Sequence, residues 1–152
     1  MFPLLGVGYF AATTIPLVFI DIRERRLPNK ITLPGIAISL LGIALSFDWV
    51  KVMISLGVAA AVFGFGTLIS LKGMIGMGDV KLMTGLSLLL AWFSPQLLWQ
   101  ALLWAFLGAG VVVLGGLLFK KITTRSTIAL GPYLLVGFWV VVTGPAWSSI
   151  VR

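Results

Sequence analysis

The stretch VMISLGVAAAVFGFGTLISL, residues Val52–Leu71, decides the fold class. It has 20 residues and no charged side chain, and a helix needs about 20 apolar residues to cross the hydrocarbon core of a bilayer. The same pattern recurs on both sides of it, in apolar runs at Phe2–Ile20, Ile31–Phe47, Val80–Phe93, Leu97–Phe119 and Ile128–Val151. The sequence therefore predicts an all-α, polytopic membrane protein with about six transmembrane helices in a single domain, residues 1–152.

The composition supports a lipid environment. Hydrophobic residues make up 60% of the chain and charged residues 10%, whereas a soluble domain carries about 25% charged residues. Most of the protein surface is therefore expected to contact the lipid bilayer, which is the expected main partner. Five of the runs are long enough to cross it, within the uncertainty of their boundaries. The fourth, Val80–Phe93, is shorter, so it is expected to be the least regular and either to be tucked among the others or to begin below the membrane surface.

The basic residues predict the orientation in the membrane. The net charge of +7 could indicate a nucleic-acid partner. We predict no such partner, because the charges lie in short loops, as membrane topology requires. Loops one, three and five carry Arg23, Arg25, Arg26, Lys30, Lys72, Lys81, Lys120, Lys121 and Arg125, and the other face carries Lys51 and Arg152. The positive-inside rule then predicts a multi-pass protein of the inner (plasma) membrane, with these loops in the cytoplasm and both termini outside.

Few residues are available for catalysis. The chain has no cysteine and no histidine, which excludes thiol chemistry, zinc–cysteine sites and histidine triads within it. No metal or cofactor is predicted. The acidic residues are Asp21, Glu24, Asp48 and Asp79. Asp21 closes the first run and Asp79 opens the fourth, both on the predicted cytoplasmic side. Ionisable groups at bilayer depth are costly, so they are usually paired, buried in protein or functional.

Each aspartate has a structural explanation when it is taken alone. Asp21 is placed to pair with Arg25 at i,i+4, and Asp79 is placed to stabilise the start of the fourth helix. Together they suggest chemistry, because two carboxylates in a poorly solvated site do not ionise together easily. The ionised one can take a proton from water while the protonated one donates to a peptide carbonyl. Gly76 and Gly78 would permit positive φ and the close approach of a substrate backbone.

Three stretches resemble a known family. They are Asp21–Thr32 (DIRERRLPNKIT), Gly76–Leu82 (GMGDVKL) and Gly131-Pro132-Tyr133. The pattern resembles the prepilin peptidases, the type IV leader peptidases of the G-x-G-D aspartic protease class. The stretches extend over positions 21 to 133, essentially a whole peptidase core.

The resemblance implies a role for several residues. It implies that Asp21 and Asp79 are the catalytic pair and that Gly76 and Gly78 shape the loop that holds Asp79. Pro28 and Asn29 belong to the Leu-Pro-Asn part of the first stretch, where Pro28 and Pro34 are expected to limit helix formation and to hold Asp21 at a fixed depth. Lys81 matches the motif. It either orients Asp79 or substrate, or is an interfacial lysine that extends to water.

The resemblance also implies a substrate. Family members remove a short basic leader from prepilin or pseudopilin precursors, of the type IV or Flp kind, at the cytoplasmic face. The substrate helix is expected to pack laterally in lipid, where small residues allow close approach. Many members carry an added N-terminal region with paired cysteines that N-methylates the product. This chain starts at the first core helix and has no cysteine, so a short form that cleaves without methylation is expected.

Other functions stay open at this point. A presenilin-like protease would share the chemistry, but it cuts within a transmembrane segment, and the Leu-Pro-Asn stretch favours the prepilin type. A small proton- or cation-coupled transporter would use Asp21 and Asp79 as ion sites, although it would want them near the middle of the bilayer. A non-catalytic assembly subunit is a further alternative. The sequence makes no prediction of oligomeric state.

Overall fold

The computed structural model describes residues 2–24, 27–118 and 130–144, and these residues form α-helices without any strand. In chain order the helices are α1 (Leu4–Glu24), α2 (Asn29–Ala44), α3 (Trp49–Leu71), α4 (Met77–Phe93), α5 (Pro95–Leu118) and α6 (Gly131–Thr143). The prediction of an all-α polytopic membrane protein with about six helices is confirmed.

The helices differ in length more than the apolar runs suggested. Three are long and apolar enough to cross a membrane: Leu4–Glu24, Trp49–Leu71 and Pro95–Gly116. With 21, 23 and 22 residues they extend over roughly 31–35 Å at 1.5 Å per residue. The prediction of five membrane-length helices was wrong for α2, which has 16 residues. α6 has 13 residues, and the rest of the predicted sixth run lies outside the described residues.

The prediction for the fourth helix also needs correction. α4 has 17 residues, so it is not the shortest helix among the described ones. It begins at Met77, before the apolar run, and Asp79 lies in its first turn. A carboxylate is favourable there, since the first backbone N–H groups of a helix need acceptors that the helix itself does not supply.

α4 lies at the centre of the fold. It packs against α2, α3, α5 and α6, and nearly all of its second half is buried, with Leu86, Leu88, Leu89 and Leu90 at most 4% exposed. The helices of membrane length instead carry many exposed large apolar side chains, as expected for surfaces that face lipid. The helix that carries Asp79 is therefore enclosed by protein, and this gives Asp79 a stable position.

Aromatic rings and glycines hold α1, α2 and α4 together. The Phe10 ring is fully buried, and it lies over two glycines on neighbouring helices. A Cβ added to Gly35 of α2 would be 2.9 Å from the Phe10 ring, and one added to Gly85 of α4 would be 3.0 Å from it. Both positions therefore need glycine for the helices to approach this closely.

Glycines in the apolar helices pack against neighbouring helices at some positions and not at others. Gly66 of α3 contacts Val80 of α4, where an added Cβ would be 2.8 Å from the valine side chain. Gly57, Gly64, Gly110 and Gly115 have open space around them instead. The apolar pattern alone does not distinguish a glycine that faces protein from one that faces lipid.

The expected effect of the two prolines is confirmed for one of them. Pro28 precedes the first residue of α2 with φ −72° and ψ 127°, an extended conformation. Pro34 lies inside α2 rather than in the loop, and that part of the prediction was wrong. The missing N–H of Pro34 leaves the helix one hydrogen bond short, but the neighbouring residues still form the helix.

The contact between α5 and α6 gives a stability prediction. A Cβ on Gly137 would overlap the carbonyl oxygen of Ala101 and would lie 2.9 Å from the backbone nitrogen of Ala105. We expect Gly137→Ala to lower the free energy of unfolding by about 1–3 kcal/mol, because the two helices must separate. Thermal unfolding in detergent measures this. Gly57→Ala is the control, and it should not destabilise the protein because alanine favours helix. Equal unfolding temperatures for the Gly137 variant and the unmodified protein would contradict the packing.

Candidate active site

Four helix ends meet at one end of the bundle. α1 ends there at Glu24, α2 begins at Asn29, α4 begins at Met77 and α6 begins at Gly131. Leu27, which is 6% exposed, lies between them. Both predicted catalytic aspartates are at this end, one in the last turn of α1 and one in the first turn of α4.

Asp21 is almost completely enclosed. Its exposed fraction is 3%, and its Oδ2 accepts a hydrogen bond of 3.0 Å from the backbone N–H of Gly131. Gly131 is the first residue of α6, so the carboxylate lies at the positive end of that helix dipole. The predicted alternative partner, Arg25, lies outside the described residues.

Asp79 is half-buried and is the third residue of α4. Its carboxylate accepts a hydrogen bond from the backbone N–H of Gly76, the residue that precedes the helix, as the third residue does in a capping box. The structural explanation of Asp79 as a helix-start residue is therefore correct, and it does not compete with a catalytic one. The same carboxylate faces a cavity that a substrate could enter.

This cavity has a volume of about 310 Å³. It is lined by Leu27, Asn29, Gly76, Met77, Gly78, Asp79 and Lys81. Five of the predicted site residues are among them: Asn29, Gly76, Gly78, Asp79 and Lys81. Asp79 is the acidic residue of this lining, and Asp21 is not part of it.

The two glycines beside Asp79 act differently from the prediction in one respect. Gly76 has φ −70° and ψ 142°, so it is in an ordinary extended conformation. Gly73 is the described glycine with positive φ, at 72°, because the chain turns there after α3. Gly78 does allow another backbone to come close, but it is that of Leu27 in this chain: a Cβ on Gly78 would be 3.0–3.1 Å from the Cβ, backbone nitrogen and backbone oxygen of Leu27. The approach of a substrate backbone stays a prediction.

Leu27 connects the surroundings of the two aspartates. Its backbone packs on Gly78, next to Asp79, and its Cδ1 would be 3.4 Å from a Cβ on Gly131, the residue that binds Asp21. The two aspartates lie in the last turn of α1 and the first turn of α4, at the same end of the bundle. A movement of Leu27 would therefore alter the surroundings of both carboxylates.

Lys81 contacts the first stretch rather than Asp79. Its Nζ donates a hydrogen bond of 2.9 Å to Oδ1 of Asn29. This bond joins the start of α4 to the start of α2, on either side of the segment that contains Leu27 and Pro28. This contact supports a role for Lys81 in shaping this loop.

Two residues of the site were not assigned a role from the sequence. Gly131 belongs to the third matching stretch, but nothing in its sequence context indicated a bond to Asp21, 110 positions away. Leu27 belongs to the first stretch, where it resembled any apolar residue before a proline. The stretch Gly131-Pro132-Tyr133 was the available signal, because a glycine followed by proline is typical of a helix start.

The arrangement suits acid–base chemistry by carboxylates. The described residues contain no group of three metal-ligating side chains. Two nearby carboxylates in a mostly buried site can share one proton, so that one accepts a proton from water and the other donates to the substrate. The site lies at one end of the bundle, whereas an ion-transport site would be expected nearer to its middle.

Comparison with known proteins agrees with the resemblance seen in the sequence. The model of the type IV leader peptidase family matches residues 8–119. A prepilin leader peptidase/N-methyltransferase of Escherichia coli (strain K12) is 35% identical over 147 residues, which cover 89% of this chain and 61% of that protein. The protein of the same name from Aeromonas hydrophila is 32% identical over 139 residues, covering 83% and 44%.

The chain therefore spans about half the length of the curated relatives it matches. No solved structure matches it. The family match covers the first two stretches of the resemblance, including Asp21 and Asp79, over most of the chain. This protein belongs to the type IV leader peptidase family.

Proposed function

We propose that this protein is an aspartic endopeptidase that removes the leader from prepilin-like precursors, with Asp21 and Asp79 as its catalytic pair. The observation that carries the proposal is that two carboxylates, 58 positions apart in the chain, lie at the same end of the bundle. Leu27 packs both on Gly78, beside Asp79, and near Gly131, which donates a hydrogen bond to Asp21. The family membership and the names of the relatives, which are prepilin leader peptidases, supply the substrate class.

Catalysis begins with entry of the substrate into the cavity beside Asp79. An extended peptide segment has room there, and it displaces Leu27 so that Asp21 also faces the scissile bond. One ionised carboxylate takes a proton from water, and the water oxygen attacks the carbonyl carbon. The protonated partner donates to the carbonyl oxygen, and collapse of the tetrahedral intermediate breaks the C–N bond as the leaving amine takes a proton.

The substrate helix approaches from the lipid. Its apolar part packs against the exposed apolar surfaces of the membrane-length helices, while the leader reaches the site at the end of the bundle. The described basic residues of loops one and three are at this end, namely Arg23, Lys30, Lys72 and Lys81. The positive-inside rule therefore supports a cytoplasmic active site and both termini outside the inner membrane. A site at the membrane edge also favours a prepilin-type cut over a presenilin-type cut within the bilayer.

The catalytic pair makes the first prediction for activity. We expect Asp21→Asn and Asp79→Asn each to lower cleavage of a prepilin-like substrate by more than about 10³-fold, because removal of one member disables the pair. Cleavage in proteoliposomes, normalised to folded protein, measures this. Asp48→Asn is the matched control, because Asp48 precedes α3 at the other end of the bundle and accepts a hydrogen bond from the Lys51 N–H. Cleavage near the normal rate by either catalytic variant would contradict the proposal.

The bond between Gly131 and Asp21 makes a second prediction. A Cβ on Gly131 would lie 2.5 Å from Asp21 Oδ2, so Gly131→Ala must displace the carboxylate. We expect kcat to fall by about 10²-fold, the typical cost of misplacing a catalytic group by an ångström, while the protein stays folded. Gly8→Ala on α1 is the control, since Gly8 has open space around it. An unchanged kcat in Gly131→Ala would show that Asp21 does not depend on this contact.

The hydrogen bond between Lys81 and Asn29 makes a third prediction. Lys81→Met keeps the apolar stem and removes the donor. If Lys81 acts by holding the loop, Lys81→Met and Asn29→Ala lower cleavage to a similar extent, roughly 3- to 10-fold, and the double variant is no worse than either. Lys30→Met, at the exposed neighbouring lysine, should retain normal cleavage. A much larger loss for Lys81→Met than for Asn29→Ala would instead assign Lys81 a direct contact with substrate or Asp79.

A further inference from the structure

α1 and α6 share a second hydrogen bond, away from the active site. Nε1 of Trp139 donates to Oγ1 of Thr14 at 2.9 Å. The Thr14 hydroxyl donates in turn to the backbone carbonyl of Phe10 at 2.5 Å, so both polar groups are satisfied within the protein. In lipid a tryptophan N–H needs such a partner, because no water is available to it.

The two bonds between these helices fix one register. Going from Thr14 to Asp21 moves seven positions along α1, about 10.5 Å, and going from Trp139 back to Gly131 moves eight positions along α6, about 12 Å. The positions rise on one helix as they fall on the other, as they must in an antiparallel pair. A slide of one residue would move the helices by about 1.5 Å relative to each other and would strain both bonds.

Pro16 weakens α1 between the two positions that bond to α6. It lies inside α1, between Thr14 and Asp21, and it lacks the N–H that would bond to the carbonyl four residues earlier. The last turns of α1, which carry Asp21, are therefore held less firmly by the helix itself. The two bonds from α6 attach to α1 on either side of this weak point.

Ring packing holds Trp139 in the orientation that this bond needs. The Phe138 and Trp139 rings meet edge to face with centroids 5.2 Å apart, and Phe138 contacts Phe10 at 6.3 Å. Phe138 is fully buried, so its role is packing, whereas Trp139 adds a directional bond. Phe138 therefore contributes packing, and Trp139 contributes a hydrogen bond to α1.

We propose that Trp139 is a positioning residue: through its hydrogen bond to Thr14 it holds α6 in the register that keeps the Gly131 N–H on Asp21. The inference rests on the proposed function only in that Asp21 must be catalytic for the activity readout. Its structural part, the register of α6 on α1, is independent of activity.

The test compares substitutions on both sides of the bond. Trp139→Phe keeps a ring and removes the donor, and Thr14→Val keeps the shape and removes the acceptor. We expect each to lower kcat by roughly 10-fold with little change in KM, because substrate binding is retained while Asp21 is misplaced. Thr14→Ser keeps the hydroxyl and should restore normal kcat. The double variant Thr14→Val/Trp139→Phe should be no slower than either single variant, because both remove the same bond.

Two controls separate positioning from general destabilisation. Ile43→Val, in the buried core of α2, should lower the unfolding temperature and leave the kcat of the folded protein unchanged. Trp99→Phe removes a tryptophan that is 73% exposed and should change neither quantity. Hydrogen exchange at the start of α6 gives a readout besides activity, and exchange at Gly131 should accelerate in Trp139→Phe and Thr14→Val but not in Thr14→Ser.

The outcomes distinguish this inference from the proposed function. If Asp21→Asn is inactive while Trp139→Phe and Thr14→Val keep kcat within twofold, the positioning role is wrong and the catalytic pair stands. If the effects of the two variants multiply, or appear in KM alone, the bond does not act through Asp21. If Asp21→Asn cleaves normally, the catalytic pair is wrong, and unchanged exchange at Gly131 would then overturn the register as well. Should Trp139→Phe fail to fold, Thr14→Val and Thr14→Ser decide the question.

Discussion

The hydrogen bond from the Gly131 amide to Asp21 is the interaction on which the site depends. A carboxylate with 3% exposure is unfavourable unless protein groups replace the lost water. The first turn of α6 supplies an N–H donor and the positive end of a helix dipole. In doing so it joins the first and last described helices, and it requires glycine at position 131, because a Cβ there would collide with the carboxylate.

The second aspartate is held by other means. Asp79 lies in the first turn of the most enclosed helix, where its carboxylate bonds to the Gly76 amide, and packing on four neighbouring helices fixes the position of α4. The two ends of α4 therefore have different surroundings: its second half is buried in the core, and its first turn lines a cavity. Leu27 lines this cavity and also lies beside Gly131, which binds Asp21, whereas Asp21 is not part of the lining.

Much of this organisation is visible in the sequence. Six apolar runs predicted six helices. They also predicted that Asp21 and Asp79 lie at the same end, because the chain crosses the membrane twice between the loop after Asp21 and the loop before Asp79. Other features depend on three-dimensional neighbours. Gly66 packs on Val80 while Gly64, two positions away, has open space, and in the sequence the two are indistinguishable. Likewise, neither Leu27 nor Gly131 carries a charge or a periodicity that would mark it, and their roles arise from contacts with residues distant in the chain.

The separation between the side chains of Asp21 and residue 79, the proposed catalytic pair, with substrate bound, tests the account most directly. An experimental structure of the Asp79→Asn variant with an uncleaved prepilin-like peptide would provide it. The account predicts that Leu27 has moved away and that Asp21 and residue 79 both reach the scissile peptide bond, directly or through one water molecule. A peptide bound with Leu27 still between the two side chains, or with its scissile bond beyond the reach of either, would contradict it.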